Sequence, residues 1–192
     1  MTRSKFVRLK AVSKPRIIAG SARGRTLETP KAGTRPSPAR LREALFNILN
    51  FRERGSFLDL YSGSGAIGLE AASRGWQATC VELSRPAANV LRRNAKALSL
   101  DANVLQADAL KVVKDNSYDI VFAAPPYSLN LQEIFQTILD ADAARPNGLY
   151  IFQHPTGLEL TLTYNGELAL PDTRKYGSNS LSFVDRKKAV SH

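Results

Sequence analysis

The sequence predicts an α/β domain built on a parallel sheet covered on both faces, and three observations predict it. From residue 56 onward, segments that read as strands alternate with segments that read as helices. A glycine-rich turn, Gly63-Ser64-Gly65-Ala66-Ile67-Gly68, stands between the first of those strands and the first of those helices. The chain has 192 residues, which fits one domain of roughly 100–200 residues with room for a small appendage.

Residues 1–13 read as a flexible basic leader. The opening MTRSKFVRLKAVSKPR has neither a continuous apolar core nor a small-residue cleavage site, so no secretory signal is expected there. Residues 14–37 are expected to form an N-terminal extension. Within it, residues 15–29 (PRIIAGSARGRTLET) read as two short extended segments around a glycine turn, with Arg16, Arg23 and Arg25 outside. Three prolines, Pro30, Pro36 and Pro38, make 30–38 a loop, and Pro38 sits at the first turn of a helix, where its missing N–H costs nothing. Leu41, Ala44, Leu45, Ile48 and Leu49 recur at helical spacing and give that helix one apolar face.

The main domain is expected over 38–188. Strands are predicted at 56–61, 77–83, 103–106, 118–123 and 149–154, and helices at about 66–75, 85–98 and 130–141. Residues 158–164 and 180–185 read as closing strands, separated by the turn residues Pro171 and Gly177. A site is then expected at the carboxyl ends of the strands.

Composition narrows the class. At 43% hydrophobic and 23% charged residues the chain is not a disordered polymer, and no apolar run approaches the ~20 residues that span a bilayer. Cys80 is the single cysteine, so neither a disulfide framework nor a multi-cysteine metal site is expected. A cytoplasmic monomer that binds no metal and no membrane is the expectation. The net charge of +10 is regional: residues 1–55 carry +11, residues 56–173 carry −5 and residues 174–192 carry +4. A basic arm on a mildly acidic body points to a polyanionic partner such as nucleic acid, whose condensed counterions are released on binding; the alternative is a solvated tail.

The glycine turn follows the G-x-G-x-x-G spacing of a dinucleotide site, and Glu82 stands 19 residues beyond Gly63, where an acid can accept from ribose hydroxyls. Asp59, four residues before the first glycine, argues against a pyrophosphate, which it would repel. S-adenosylmethionine carries an ammonium and a sulfonium and no phosphate, so an acid near the loop favours it. The alternative, that Asp59 only caps or braces the glycine turn, is compatible with either cofactor. Asp108, after the third strand, reads either as an acceptor for an adenine amine or as a turn residue. Ala124-Pro125-Pro126-Tyr127 ends the fourth strand, beside the first; its prolines stiffen the loop and its aromatic ring can stack on a flipped base.

These motifs together resemble the class I methyltransferases that act on exocyclic amines of nucleic-acid bases. Residues 16–25 (RIIAGSARGR), 35–49 (RPSPARLREALFNIL), 59–75 (DLYSGSGAIGLEAASRG), 124–127 (APPY) and 175–184 (KYGSNSLSFV) more closely resemble the bacterial guanine-N2 methyltransferases of 16S ribosomal RNA. The likeness spans about 16–186. It implies a class I methyltransferase, Rossmann-like seven-stranded sheet with the last strand antiparallel, plus the N-terminal β-hairpin extension. It also implies S-adenosyl-L-methionine as cofactor and 16S ribosomal RNA or the small ribosomal subunit as partner. By the same resemblance Asp59, Gly63 and Gly65 hold the methionine part of the cofactor, and Tyr61 and Leu83 also bind the cofactor. Glu82 binds the ribose hydroxyls, and Asp108 with the Ala109 amide reads the adenine. Ala124, Pro125, Pro126 and Tyr127 form the catalytic loop. Arg16, Arg23, Arg25 and Arg40 meet RNA, and Arg35 either lines the methionine end or meets RNA.

One position departs from the family. Its motif begins with Asp or Asn, whose oxygen accepts from the target amine, and here that position is Ala124. Losing one preorganised partner of this kind costs about 2.7–4 kcal/mol, or ~10²–10³ in rate. The chain is then slow, or recruits another acceptor, or is an inactivated or non-catalytic RNA-binding relative. A DNA adenine or cytosine amino-methyltransferase is a further alternative, and a nicotinamide-dependent oxidoreductase a distant one. His154, Cys80 and Trp76 read as packing residues, and Lys187-Lys188 as a solvated cluster.

Overall fold

A computed structural model describes residues 14–30, 37–113 and 118–186. The expected leader, Arg35 and the Lys187-Lys188 pair lie outside these residues. In chain order the elements are α1 (Ala39–Leu49), β1 (Ser56–Leu60), α2 (Gly68–Ser73), β2 (Gln77–Glu82), α3 (Arg85–Ala97), β3 (Ala102–Gln106), α4 (Ala109–Val112), β4 (Tyr118–Ala123), α5 (Leu131–Asp140), β5 (Ala144–Pro155), β6 (Leu162–Tyr164), β7 (Glu167–Ala169), β8 (Asp172–Tyr176) and β9 (Asn179–Asp185).

Seven strands form one sheet in the order β3-β2-β1-β4-β5-β9-β8. The first five are parallel. β9 enters antiparallel between β5 and β8, so the expected antiparallel last strand is present. Both faces are covered, which is why β1 is buried at four consecutive positions and not at alternate ones. One face carries α4 and α5, whose Phe135, Ile138 and Leu139 meet Leu58, Val121, Tyr150 and Phe152. The other carries α1, whose Leu41, Leu45, Phe46 and Leu49 meet Phe57, Phe122, Ile151 and Leu181. Trp76 and Cys80 are buried core residues, and His154 is buried with its Nε2 at 2.8 Å from Ser182 Oγ. Among the described residues no helix is long and apolar enough to cross a membrane.

Three expectations need correction. Residues 15–29 fold back as two short extended segments, but the hairpin is minimal: a single antiparallel bridge joins Arg16 and Thr26, with Ile17 N–H donating to the Arg25 carbonyl at 2.9 Å and Leu27 N–H to the Pro15 carbonyl at 2.8 Å. The amides of the turn between these segments are drawn to α2. Ile18 and Ala19 N–H donate to the Glu70 carboxylate at 2.7 and 3.0 Å, and Ala22 N–H donates to Ser73 Oγ at 3.0 Å. Gly20 makes this docking possible: its φ is +84°, and a Cβ there would sit 1.8 Å from the Ser73 carbonyl oxygen. Ile17, Ala22 and Leu27 then join Leu69 and Leu91 in a shared core, so the segment is a docked loop of the domain.

Residues 158–164 do not extend the main sheet. β6 pairs only with β7, and its outer edge is satisfied by a helix: Thr161 and Thr163 N–H donate to the side-chain oxygens of Gln132 and Gln136 on α5, at 3.1 and 2.9 Å. The seventh strand is β8, whose sequence DTRKY carries almost no apolar signal because it is an exposed edge. β5 starts five residues earlier than expected. A register shift lets Ala144 pair with Tyr118 before regular pairing resumes at Leu149, so the polar stretch ahead of Leu149 still belongs to the strand.

Candidate active site

The carboxyl ends of β1, β2, β3, β4 and β5 open on one cavity of about 690 Å³, within the ~300–1,000 Å³ usual for a small-molecule site. Asp59, Tyr61, Gly63, Glu82, Leu83, Asp108, Ala109, Ala124, Pro125, Pro126 and Tyr127 all line it, so the topology gathers residues from four separate stretches of chain. Gly65 does not line it. A Cβ there would fall 2.3 Å from Leu91 Cδ1, which makes Gly65 a packing glycine between loop and helix.

The glycine turn is held shut by its own protein. Gly63 N–H donates to Glu82 Oε2 at 2.8 Å, Gly65 N–H to the Ser62 carbonyl at 2.8 Å, and Gly68 N–H to Asp59 Oδ2 at 2.8 Å. Two of the three acceptors are carboxylates. A phosphate-binding turn needs such amides free and aimed at the ligand. Gly68 must be glycine for this closure, since a Cβ there would stand 2.3 Å from Cys80 Sγ.

Asp59 is 1% exposed. Burial pushes its carboxyl up to about 7; the bond from Gly68 resists that rise and the neighbouring Glu82 adds to it. The bracing role open at the level of sequence is therefore real, and the same carboxyl also lines the cavity. Glu82 Oε1 accepts from Ser84 N–H at 2.8 Å, so each of its oxygens holds one amide and keeps a lone pair for a ligand. Asp108 caps α4 by accepting from Leu110 N–H at 3.0 Å. Burial, helped by the charge of Asp108, pushes the Tyr61 hydroxyl up to about 12, so it stays a neutral donor. Among the described residues the lining holds three acidic side chains, Asp59, Glu82 and Asp108, and neither Lys nor Arg, although the whole chain carries +10. No group of three or more His, Cys, Asp or Glu among the described residues could hold a metal.

Around the Pro-Pro-Tyr loop the structure adds residues that the sequence did not single out. Tyr127 Oη donates to Asn179 Oδ1 at 2.6 Å, Gln153 Nε2 donates to Tyr127 Oη at 3.3 Å, and Ser37 Oγ donates to Gln153 Oε1 at 2.7 Å. All four line the cavity. One sign was available: Gln153 ends the otherwise apolar run 149–152. The arginines lie elsewhere. Arg16, Arg23, Arg25 and Arg40 are exposed on the docked loop and on the first turn of α1, outside the lining, and Arg25 also donates to the Ala97 carbonyl at the end of α3.

Comparison with known proteins agrees with this architecture. Residues 15–185 match the family described as conserved hypothetical protein 95. The ribosomal RNA small subunit methyltransferase D of Haemophilus influenzae is 36% identical over 145 residues, covering 70% of this chain and 75% of that protein. A hypothetical protein of Thermus thermophilus superposes with a TM-score of 0.80 at 41% identity, covering 88% of this chain and 98% of that one. The 16S rRNA N2 G1207 methyltransferase of Thermus thermophilus, solved with AdoMet and guanosine, shares the fold at a TM-score of 0.62 and 23% identity, over 81% of this chain and 44% of that one. Cavity, sheet order and sequence likeness converge, and the chain belongs to the conserved hypothetical protein 95 family, that of the bacterial ribosomal RNA small subunit methyltransferase D.

Proposed function

We propose that the chain is an S-adenosylmethionine-dependent methyltransferase that modifies the N2 amine of a guanine in 16S ribosomal RNA. The observation that carries this reading is the glycine turn whose amides are already bonded to Asp59, Glu82 and Ser62 inside an acidic cavity. Such a pocket repels a pyrophosphate and attracts a ligand with a sulfonium and an ammonium. The residues fit that ligand. The free lone pairs of Glu82 would accept from the ribose hydroxyls, Asp108 and the Ala109 amide at the start of α4 would take the adenine edge, and exposed Leu83 would supply an apolar rim. Asp59, Tyr61 and Gly63 would hold the methionine end.

When bound, the donor supplies a methyl group already activated by positive sulfur, so the chain needs only to position the amine and stabilise charge growing on its nitrogen. The Pro125 carbonyl accepts from the amine, and the Tyr127 ring, 44% exposed at the cavity mouth, stacks on the base. Arg16, Arg23, Arg25 and Arg40 hold phosphates, which ties the basic arm to the same substrate. The relatives' names support ribosomal RNA over DNA, and the guanosine complex of the distant neighbour supports the guanine amine. Labelled methyl transfer tests the reading. Unmethylated small-subunit particles or 16S RNA are expected to take label and duplex DNA is not; label on DNA alone would overturn it. Ala124 favours one second reading, a non-catalytic RNA-binding relative, which predicts donor binding without transfer to any substrate.

A further inference from the structure

We propose that Gln153 supplies the hydrogen-bond acceptor that Ala124 lacks, so that the target amine is held between Gln153 Oε1 and the Pro125 carbonyl. This rests on the methyltransferase reading above and concerns how this chain carries out the reaction.

Three observations carry it. First, register: Ala123 on β4 pairs with Phe152 on β5, so Ala124 and Gln153 continue the same rung. Residues at one rung of parallel strands project to one face. It is the face of Phe122 and Ile151, and both Ala124 and Gln153 line the cavity there. Second, burial: Gln153 is 7% exposed and follows Tyr150, Ile151 and Phe152. An amide at such a position is costly unless its groups are bonded, and an aliphatic residue would fill the strand more cheaply. Third, orientation: the amide is fixed at both ends. Nε2 donates to Tyr127 Oη at 3.3 Å and to Asn179 Oδ1 at 3.4 Å, while Oε1 accepts from Ser37 Oγ at 2.7 Å. That leaves one lone pair on Oε1, on an acceptor that needs no reorganisation when the base arrives.

The reaction balances with these groups. The amine donates its two N–H bonds to Gln153 Oε1 and the Pro125 carbonyl, and its lone pair forms the new N–C bond to the methyl group. The C–S bond breaks with its electron pair on sulfur, which becomes a neutral thioether. The surplus proton on nitrogen leaves to solvent, because an amide oxygen accepts a hydrogen bond but is no base. Gln153 thus orients the amine and offsets the developing charge, as the missing Asp or Asn oxygen would.

The test is a double-mutant cycle on the full chain, read by single-turnover and steady-state methyl transfer to unmethylated small-subunit particles. Gln153→Leu should lower kcat by ~10²-fold with little change in KM. Gln153→Glu, which keeps the acceptor, should retain most of the activity. Ala124→Asp should raise kcat far more in the Gln153→Leu background than in the parent, since it restores an acceptor that the parent already has. Protection of each variant by S-adenosylhomocysteine in thermal melts reports folding and donor binding independently of turnover. A Gln153→Leu variant with parental kcat, or equal gains from Ala124→Asp in both backgrounds, overturns the proposal while leaving the methyltransferase reading intact. A parent that binds the donor and transfers methyl to nothing overturns both.

Discussion

Replacing Asp59 by Asn probes the acidic pocket through its effect on folding. The parent carboxyl is buried, and its affinity for a proton rises from an ordinary 3.8 to about 7 in the folded chain. Because the folded value lies above the unfolded one, the group's contribution to stability is complete below about pH 4 and is lost as pH rises through about 7. A rise of about 3 units at ~1.4 kcal/mol each gives a loss of about 4 kcal/mol across that window. Asn keeps an oxygen for the Gly68 N–H and cannot ionise, so Asp59→Asn should lack this slope. Urea unfolding of both proteins at pH 4.5 and pH 8 is the assay. Subtracting one protein from the other cancels the titrating groups that do not couple to Asp59, and the variant should gain on the parent by about 3–4 kcal/mol as pH rises. Parallel stability curves, or a parent that gains on the variant, would refute the account of Asp59 as a carboxyl destabilised by its burial.

Truncating Glu70, 0% exposed, removes the partner of Arg42 and Arg74 and the acceptor of Ile18 and Ala19 N–H. Glu70→Ala should therefore cost about 3–5 kcal/mol by chemical denaturation and expose residues 15–29 to proteolysis; a loss below about 1 kcal/mol, that of an ordinary surface pair, would contradict the docking described. Replacing Arg23 and Arg25 with Ala should weaken RNA binding and reduce the salt slope by about 0.7–0.9 for each phosphate no longer neutralised. Filter binding over a salt series reads this directly, and an unaltered slope would move the RNA face elsewhere.

The parts of the molecule legible in the sequence are those where local pattern and tertiary role coincide. The fourth strand falls at 118–123 as the run YDIVFA indicates, and the helices expected at 85–98 and 130–141 start within a residue of those positions, because Ser84 and Asn130 cap their N-termini with their own side chains. The docking of 15–29 was illegible for the opposite reason: the Ile18, Ala19 and Ala22 amides pair with Glu70 and Ser73, more than 50 residues away. β6 misled because Leu162 and Tyr164 alternate like a sheet strand while packing over α5. The site was half visible. Its glycines and acids lie in contiguous motifs, but Gln153 and Asn179 are brought beside Tyr127 by the register of β4, β5 and β9, and Ser37 reaches Gln153 from the segment ahead of α1.

Titration calorimetry of the purified chain with S-adenosylmethionine and, separately, with NAD tests the central claim most directly. A saturable one-to-one heat with the sulfonium compound and none with the dinucleotide is the result that follows from loop amides already bonded to carboxylates. Saturable binding of NAD, with the sulfonium compound silent, would contradict it.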